Sequence, residues 1–178
     1  MKTALRFLRV ALLGALAAGG LFAATPAPAP SRITVVFDHP EKYTDIKDSW
    51  SDNENERGRD RYLPLFREYF EQTLANRLPA GQQLTITFSD IDLAGDFEPW
   101  RGAQFDDIRI IKDIYVPRMN FIFKVTDASG AVIKSGERKL VDLAFQLGVT
   151  PAFRDDPLRY EKAMLDNWFG QEIAARKN

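Results

Sequence analysis

His39 has the most chemical options of any residue in this sequence, because it is the only histidine and carboxylates flank it. It lies in the segment Asp38-His39-Pro40-Glu41, and Asp45 follows soon after. A carboxylate beside an imidazole orients the ring and raises its basicity, which suits a general base or a metal ligand. His39, Asp38 and Asp45 are therefore the candidate catalytic residues. The alternative is that Asp38 and His39 cap the end of a strand and that Pro40 fixes the turn.

Aspartates cluster at two further places, which are Asp90, Asp92 and Asp96, and then Asp106 and Asp107. Paired carboxylates serve in glycoside hydrolysis and in calcium binding. Neither group has the spacing of a calcium loop, and aspartate also bonds its local backbone where strands end. The mixed charges of residues 45–56 similarly favour a solvated loop over a cation site. With one histidine and no cysteine, we expect no metal site and no cofactor.

The candidate binding residues are Trp50, Trp100 and Arg101, which lie in segments predicted to be loops. Exposed tryptophan and arginine side chains often supply the energetic contacts of an interface. These three residues could therefore anchor a protein partner or a saccharide. The alternative is that each tryptophan packs beneath its own loop.

The absence of familiar motifs favours binding over catalysis. The sequence has no Gly-x-Ser-x-Gly, no phosphate-binding loop, no dinucleotide fingerprint and no His-Glu-x-x-His. The lack of cysteine excludes thiol catalysis, and the net charge of −1 argues against nucleic-acid binding. We therefore expect a protein that is not an enzyme. The alternative is a hydrolase that acts on an envelope polymer through His39 and nearby carboxylates.

The N-terminal segment predicts export. Lys2, Arg6 and Arg9 precede an apolar run over residues 10–24, and a Pro/Ala stretch follows. This pattern is typical of a secretory signal peptide, and the run is shorter than the roughly 20 residues of a membrane-spanning helix. We predict a signal peptide over 1–24, a linker over 25–31, and a periplasmic or secreted protein with no membrane span after cleavage. The alternative is an uncleaved membrane anchor.

Hydrophobic periodicity predicts the elements that position these residues. The pattern indicates a buried central strand over 32–38, a helix over 59–78, strands over 84–93, 108–116, 119–126 and 131–140, and a last helix after Asp156. The apolar parity changes within the second strand, which predicts a bulge or bend near Ser89 and Asp90. This order of elements predicts one α+β domain over 32–178, with a mostly antiparallel sheet covered by two main helices.

Two passages resemble a known family. They are Ile33-Thr-Val-Val-Phe-Asp-His-Pro-Glu-Lys-Tyr-Thr-Asp45 and Asp156-Pro-Leu-Arg-Tyr-Glu-Lys-Ala-Met-Leu-Asp-Asn-Trp-Phe169. They resemble the exported bacterial proteins catalogued as domain of unknown function 3016. The resemblance implies an envelope location and brings no catalytic residue with it. We expect a periplasmic binding or accessory module of the cell envelope, whose partner is an envelope protein or a small ligand.

Overall fold

A computed structural model describes residues 31–148 and 153–174 of the chain. The predicted signal peptide over 1–24 and the linker up to residue 30 lie outside the described residues. The strands and main helices, in chain order, are β1 (Ile33–Phe37), α1 (Glu56–Glu68), β2 (Gln83–Asp92), β3 (Asp96–Phe97), β4 (Arg109–Ile110), β5 (Arg118–Thr126), β6 (Val132–Val141) and α2 (Arg159–Glu172).

The main sheet has the strand order β1-β2-β5-β6. β1 runs parallel to β2, whereas β2 with β5 and β5 with β6 are antiparallel. The predicted α+β class with a mostly antiparallel sheet is therefore confirmed. The predicted central position of the first strand is wrong, because β1 lies at an edge and exposes Thr34 and Val36. β-Branched side chains suit a solvent-facing strand surface as well as a buried one, so the unbroken run was misleading.

The predicted irregularity in β2 is confirmed. The register of β2 against β5 shifts between Phe88 and Asp90. Leu84, Ile86 and Phe88 are buried before the shift, and Ile91 is buried after it. Ser89 is the extra residue at this shift, and it returns the following apolar side chain to the covered face of the sheet.

The first helix begins at a carboxylate cap. Asp52 accepts hydrogen bonds from the backbone N–H groups of Arg57 at 2.9 Å and Gly58 at 2.8 Å. Backbone N–H groups in the first turn of a helix have no acceptor within the helix, so the Asp52 carboxylate satisfies two of them. Asp52 is itself buried, so the predicted solvated loop over 45–56 contains a buried structural residue.

Both helices pack on one face of the main sheet. Phe66 of α1 lies with its ring centroid 6.2 Å from that of Phe88. Trp168 of α2 lies 4.8 Å from Phe121, on the adjacent strand. On the opposite face Ile122 is 58% exposed, and neither of the two main helices in the described residues covers that face. The core therefore lies between the two helices and the inner face of the sheet.

The segment between β2 and β5 is largely irregular. The strand predicted over 108–116 is wrong except at Arg109–Ile110, which pairs only with Asp96–Phe97. Ile108 and Ile114 are exposed, which explains why an apolar pattern here did not produce a strand. This segment forms most of the candidate functional site.

Candidate functional site

His39 lies on the protein surface. Its side chain is 65% exposed, and its backbone adopts the left-handed conformation with φ of 48° before the turn Pro40–Lys42. Its Nδ1 lies 3.3 Å from Oε1 of Glu41, and its Nε2 lies 3.7 Å from Oδ1 of Asp38. The structure thus brings His39 together with Asp38 and Glu41, while Asp45 forms an ion pair with Arg109.

Asp45 belongs to a two-pronged ion pair with Arg109. Arg109 Nη1 and Nη2 donate hydrogen bonds to the Asp45 carboxylate at 2.8 and 3.1 Å. Arg109 also donates to the carbonyl oxygens of Gly95 at 2.9 Å and Lys47 at 2.7 Å. Its guanidinium lies 4.7 Å from the ring centroid of Phe97. One arginine therefore fixes three separate chain segments against each other.

Next to this ion pair is a cavity of about 330 Å³, which we call the Trp50 cavity. It is lined by Thr44, Asp45, Lys47, Trp50, Asp92, Leu93, Gly95, Asp96, Ile114, Tyr115, Val116 and Arg118. A second cavity of about 170 Å³ lies beside it and shares Leu93 with it. Arg109 and the buried Glu161 line the second cavity.

The carboxylates of the Trp50 cavity are held in place by fixed donors. Arg118 Nη1 lies 2.8 Å from Oδ2 of Asp92. Burial raises the pKa of Asp92, and the bond from Arg118 opposes that rise. Asp96 accepts the backbone N–H of Phe97 at 2.7 Å. Because a carboxylate has about four acceptor positions, these groups keep free capacity toward a ligand.

Trp50 is exposed at the edge of this cavity. Its backbone N–H donates to the carbonyl oxygen of Asp106 at 2.8 Å, which ties this segment to the loop before β4. The residue is 49% exposed, and the ammonium of Lys47 lies 5.8 Å from its ring centroid. Trp50 therefore does not pack beneath its own loop, which was the alternative prediction.

Trp100 is even more exposed, at 70%, and lies in the turn Pro99–Arg101. This turn is held by the buried Glu98, whose carboxylate binds Nε of Arg101 and Nζ of Lys112. The Tyr115 hydroxyl donates to the same carboxylate at 2.9 Å. We call these four residues, Glu98, Arg101, Lys112 and Tyr115, the Glu98 cluster. The bonds from Lys112 and Arg101 lower the pKa of Glu98 to about 2.

Tyr115 connects the two tryptophan segments. It belongs to the Glu98 cluster and also lines the Trp50 cavity. Its carbonyl accepts the N–H of Gly95 at 3.0 Å, and Gly95 has a φ of 83°. A Cβ at Gly95 would lie 2.8 Å from the carbonyl oxygen of Ile110, so only glycine fits here. Trp50, Trp100 and Arg101 therefore belong to one connected region, and His39 lies outside its lining.

The sequence did not identify Glu98, Arg109 or Tyr115 as site residues. Arg109 and its partner Asp45 are 64 positions apart, and no local spacing marks such a pair. The only available signal was a charged residue beside an apolar one, and that pattern is common on any protein surface.

Within the described part of the chain, no group of three or more histidine, aspartate or glutamate side chains is arranged to hold a metal ion.

These features define a single α+β domain with an anchored polar cavity and two exposed tryptophans beside it. No helix in residues 31–148 or 153–174 is long and apolar enough to cross a membrane. Residues 31–171 match the family described as "Protein of unknown function (DUF3016)", and the chain belongs to that family. The resemblance drawn from the sequence is therefore confirmed. No curated protein and no solved structure matches the chain.

Proposed function

We propose that this protein is a non-catalytic binding module exported to the bacterial cell envelope. The binding region comprises the Trp50 cavity and the neighbouring Trp100 turn. The observation that carries this proposal is the exposure of two tryptophans, 49% and 70%, on segments that hydrogen bonds and ion pairs tie to the rest of the fold. An indole left exposed adds no hydrophobic stabilisation to the fold, and tryptophan is among the residue types enriched at the energetic centres of interfaces.

A binding role also agrees with the chemistry of the carboxylates. Asp45 and Asp92 are each paired with an arginine, which holds both carboxylates in fixed positions. The only histidine is more than half exposed and has no place in the cavity lining. These contacts favour fixed recognition over proton transfer.

Export rests on the N-terminal sequence pattern, namely three basic residues, an apolar run and a Pro/Ala stretch. Mass spectrometry of the native protein from an envelope fraction tests it. We expect a mature N-terminus near Ala24. A protein that retains Met1 would contradict cleavage and support the uncleaved anchor.

Retention of envelope components tests the binding region. The mature protein, the double variant Trp50→Ala/Trp100→Ala and the control Ile122→Ala are immobilised and exposed to an envelope extract. Ile122 offers a matched control, because it is 58% exposed on the face of the sheet away from the two helices and does not line the Trp50 cavity. We expect the double variant to retain about tenfold less material, measured as protein and as carbohydrate, and the control to equal the wild type. Equal retention by all three proteins would contradict the proposal.

A further inference from the structure

We infer that the ligand of the Trp50 cavity is an uncharged sugar residue of an envelope glycan. This inference rests on the proposed binding function and specifies its ligand class. Three properties of the cavity lead to it, which are its charge balance, its hydrogen-bonding groups and its combination of size with an exposed indole.

The charges at the cavity compensate one another. Asp45, Asp92 and Asp96 contribute three carboxylates to the lining, and Lys47 and Arg118 contribute two cations. The third positive charge is Arg109, which binds Asp45 from behind the cavity wall. A strongly charged ligand would meet no net opposite charge here and would lose its hydration without compensation. The balance therefore favours a neutral ligand.

The same groups are suited to hydroxyls. A carboxylate oxygen accepts the hydrogen of a hydroxyl, and the remaining N–H groups of Arg118 and Lys47 donate to its oxygen. Arg118 bonds Asp92 through Nη1, and Asp96 bonds its own neighbour's N–H, so acceptors and donors are fixed before a ligand arrives. A site built from fixed donors and acceptors discriminates strongly against analogues that lack the matching hydroxyl.

Trp50 supplies the apolar part of the site. One face of a sugar ring consists of C–H groups, and an indole offers a flat surface on which such a face can stack. Trp50 lies at the cavity edge with half of its surface exposed. The cavity volume of about 330 Å³ is at the lower end of the roughly 300–1,000 Å³ found for ligand sites. This size fits a single ring of a glycan better than a folded peptide segment.

Calorimetric titration with four defined tetrasaccharides tests the inference. The neutral probes are the tetramers of N-acetylglucosamine and of β-1,4-linked glucose. The charged probes are the glucosamine tetramer, which is cationic, and the galacturonate tetramer, which is anionic. The two amino-sugar probes form a matched pair, because they differ only in the acetyl groups that remove the charge. The proteins are the mature wild type, Trp50→Ala, Trp50→Tyr and the control Ile122→Ala, each checked for native far-ultraviolet circular dichroism.

We expect at least one neutral tetrasaccharide to bind the wild type and the Ile122→Ala control equally. We expect Trp50→Ala to bind it about tenfold more weakly and Trp50→Tyr to restore most of the affinity, since tyrosine keeps a flat ring. Tighter binding of a charged probe, or no binding of either neutral probe, would overturn the assignment of an uncharged sugar. If the envelope-extract assay then still depends on the tryptophans, the proposed function stands and only the ligand class is wrong. Loss of both signals would refute both.

Discussion

The ion pair between Arg109 and Asp45 offers the sharpest test of how the Trp50 cavity is built. The side chains are only 15% and 14% exposed, and Arg109 donates four hydrogen bonds to two other chain segments, residues 45–47 and Gly95. The substitution Arg109→Met removes the guanidinium and keeps a long apolar stem. It leaves the Asp45 carboxylate enclosed without its cation, and it removes the donors to the carbonyls of Gly95 and Lys47.

The expected loss of stability follows from these contacts. Breaking a buried pair by removing one partner costs about 3–5 kcal/mol, because the remaining charge is uncompensated. We therefore expect Arg109→Met to lower the free energy of unfolding by about 3–5 kcal/mol. Asp45→Asn leaves the guanidinium bound to two carbonyls, and we expect a loss of about 2–3 kcal/mol. The double variant removes both charges, so its loss should fall short of the sum by at least about 1 kcal/mol.

Urea unfolding followed by circular dichroism measures all three variants. The control is Arg138→Met, because Arg138 also forms a two-pronged pair, with Glu172, but at a more exposed position. Solvent screening limits such a pair to about 1 kcal/mol or less. A loss below about 1 kcal/mol for Arg109→Met, or simple additivity in the double variant, would refute the role assigned to this ion pair.

Three further predictions concern other parts of the chain. Gly58→Ala should destabilise the fold on the order of 3 kcal/mol, because the new Cβ would lie 1.6 Å from the carbonyl oxygen of Ile46, while Gly148→Ala, with open space around it, should be neutral in the same urea titration. The pKa of Glu98 is lowered to about 2, mainly by its bonds to lysine and arginine, so the stability that its ionised form contributes is complete above pH 4.5 and is lost as pH falls toward 2. Glu98→Gln should remove that part of the acid dependence of the melting temperature. A variant whose melting temperature depends on pH as in the wild type would contradict this prediction. His39→Ala should change neither the melting temperature nor envelope retention, whereas abolished hydrolysis of an envelope polymer at unchanged stability would favour the hydrolase instead.

The sequence predicted the elements whose periodicity is local. The helical spacing of Tyr62, Phe66 and Phe70 is confirmed, because all three are buried and a π-helical segment, Tyr69–Leu74, continues α1 through Phe70. The parity change after Phe88 correctly located the irregularity in β2. Both signals work because the burial of one face imposes a fixed repeat on a helix or a strand.

The proposed binding region could be predicted only in part. Trp50, Trp100 and Arg101 were predicted as candidates from their residue types, and the structure connects them through Tyr115 and Glu98. Those connecting bonds depend on how irregular segments fold against each other, which local periodicity does not encode. For the same reason the sequence grouped Asp45 with His39, its neighbour in the chain, although Asp45 pairs with a residue 64 positions away.

Site-specific photocrosslinking in the producing bacterium tests the central claim most directly. A photoreactive benzophenone amino acid replaces Trp50, Trp100 or, as the control, Ile122, and the crosslinked products are separated by size and analysed for protein and carbohydrate. The account predicts a discrete crosslinked product from positions 50 and 100 and none from position 122, whose exposure lies between theirs and which is outside the Trp50 cavity. A product from position 122 with none from positions 50 and 100 would contradict the assignment of the binding region.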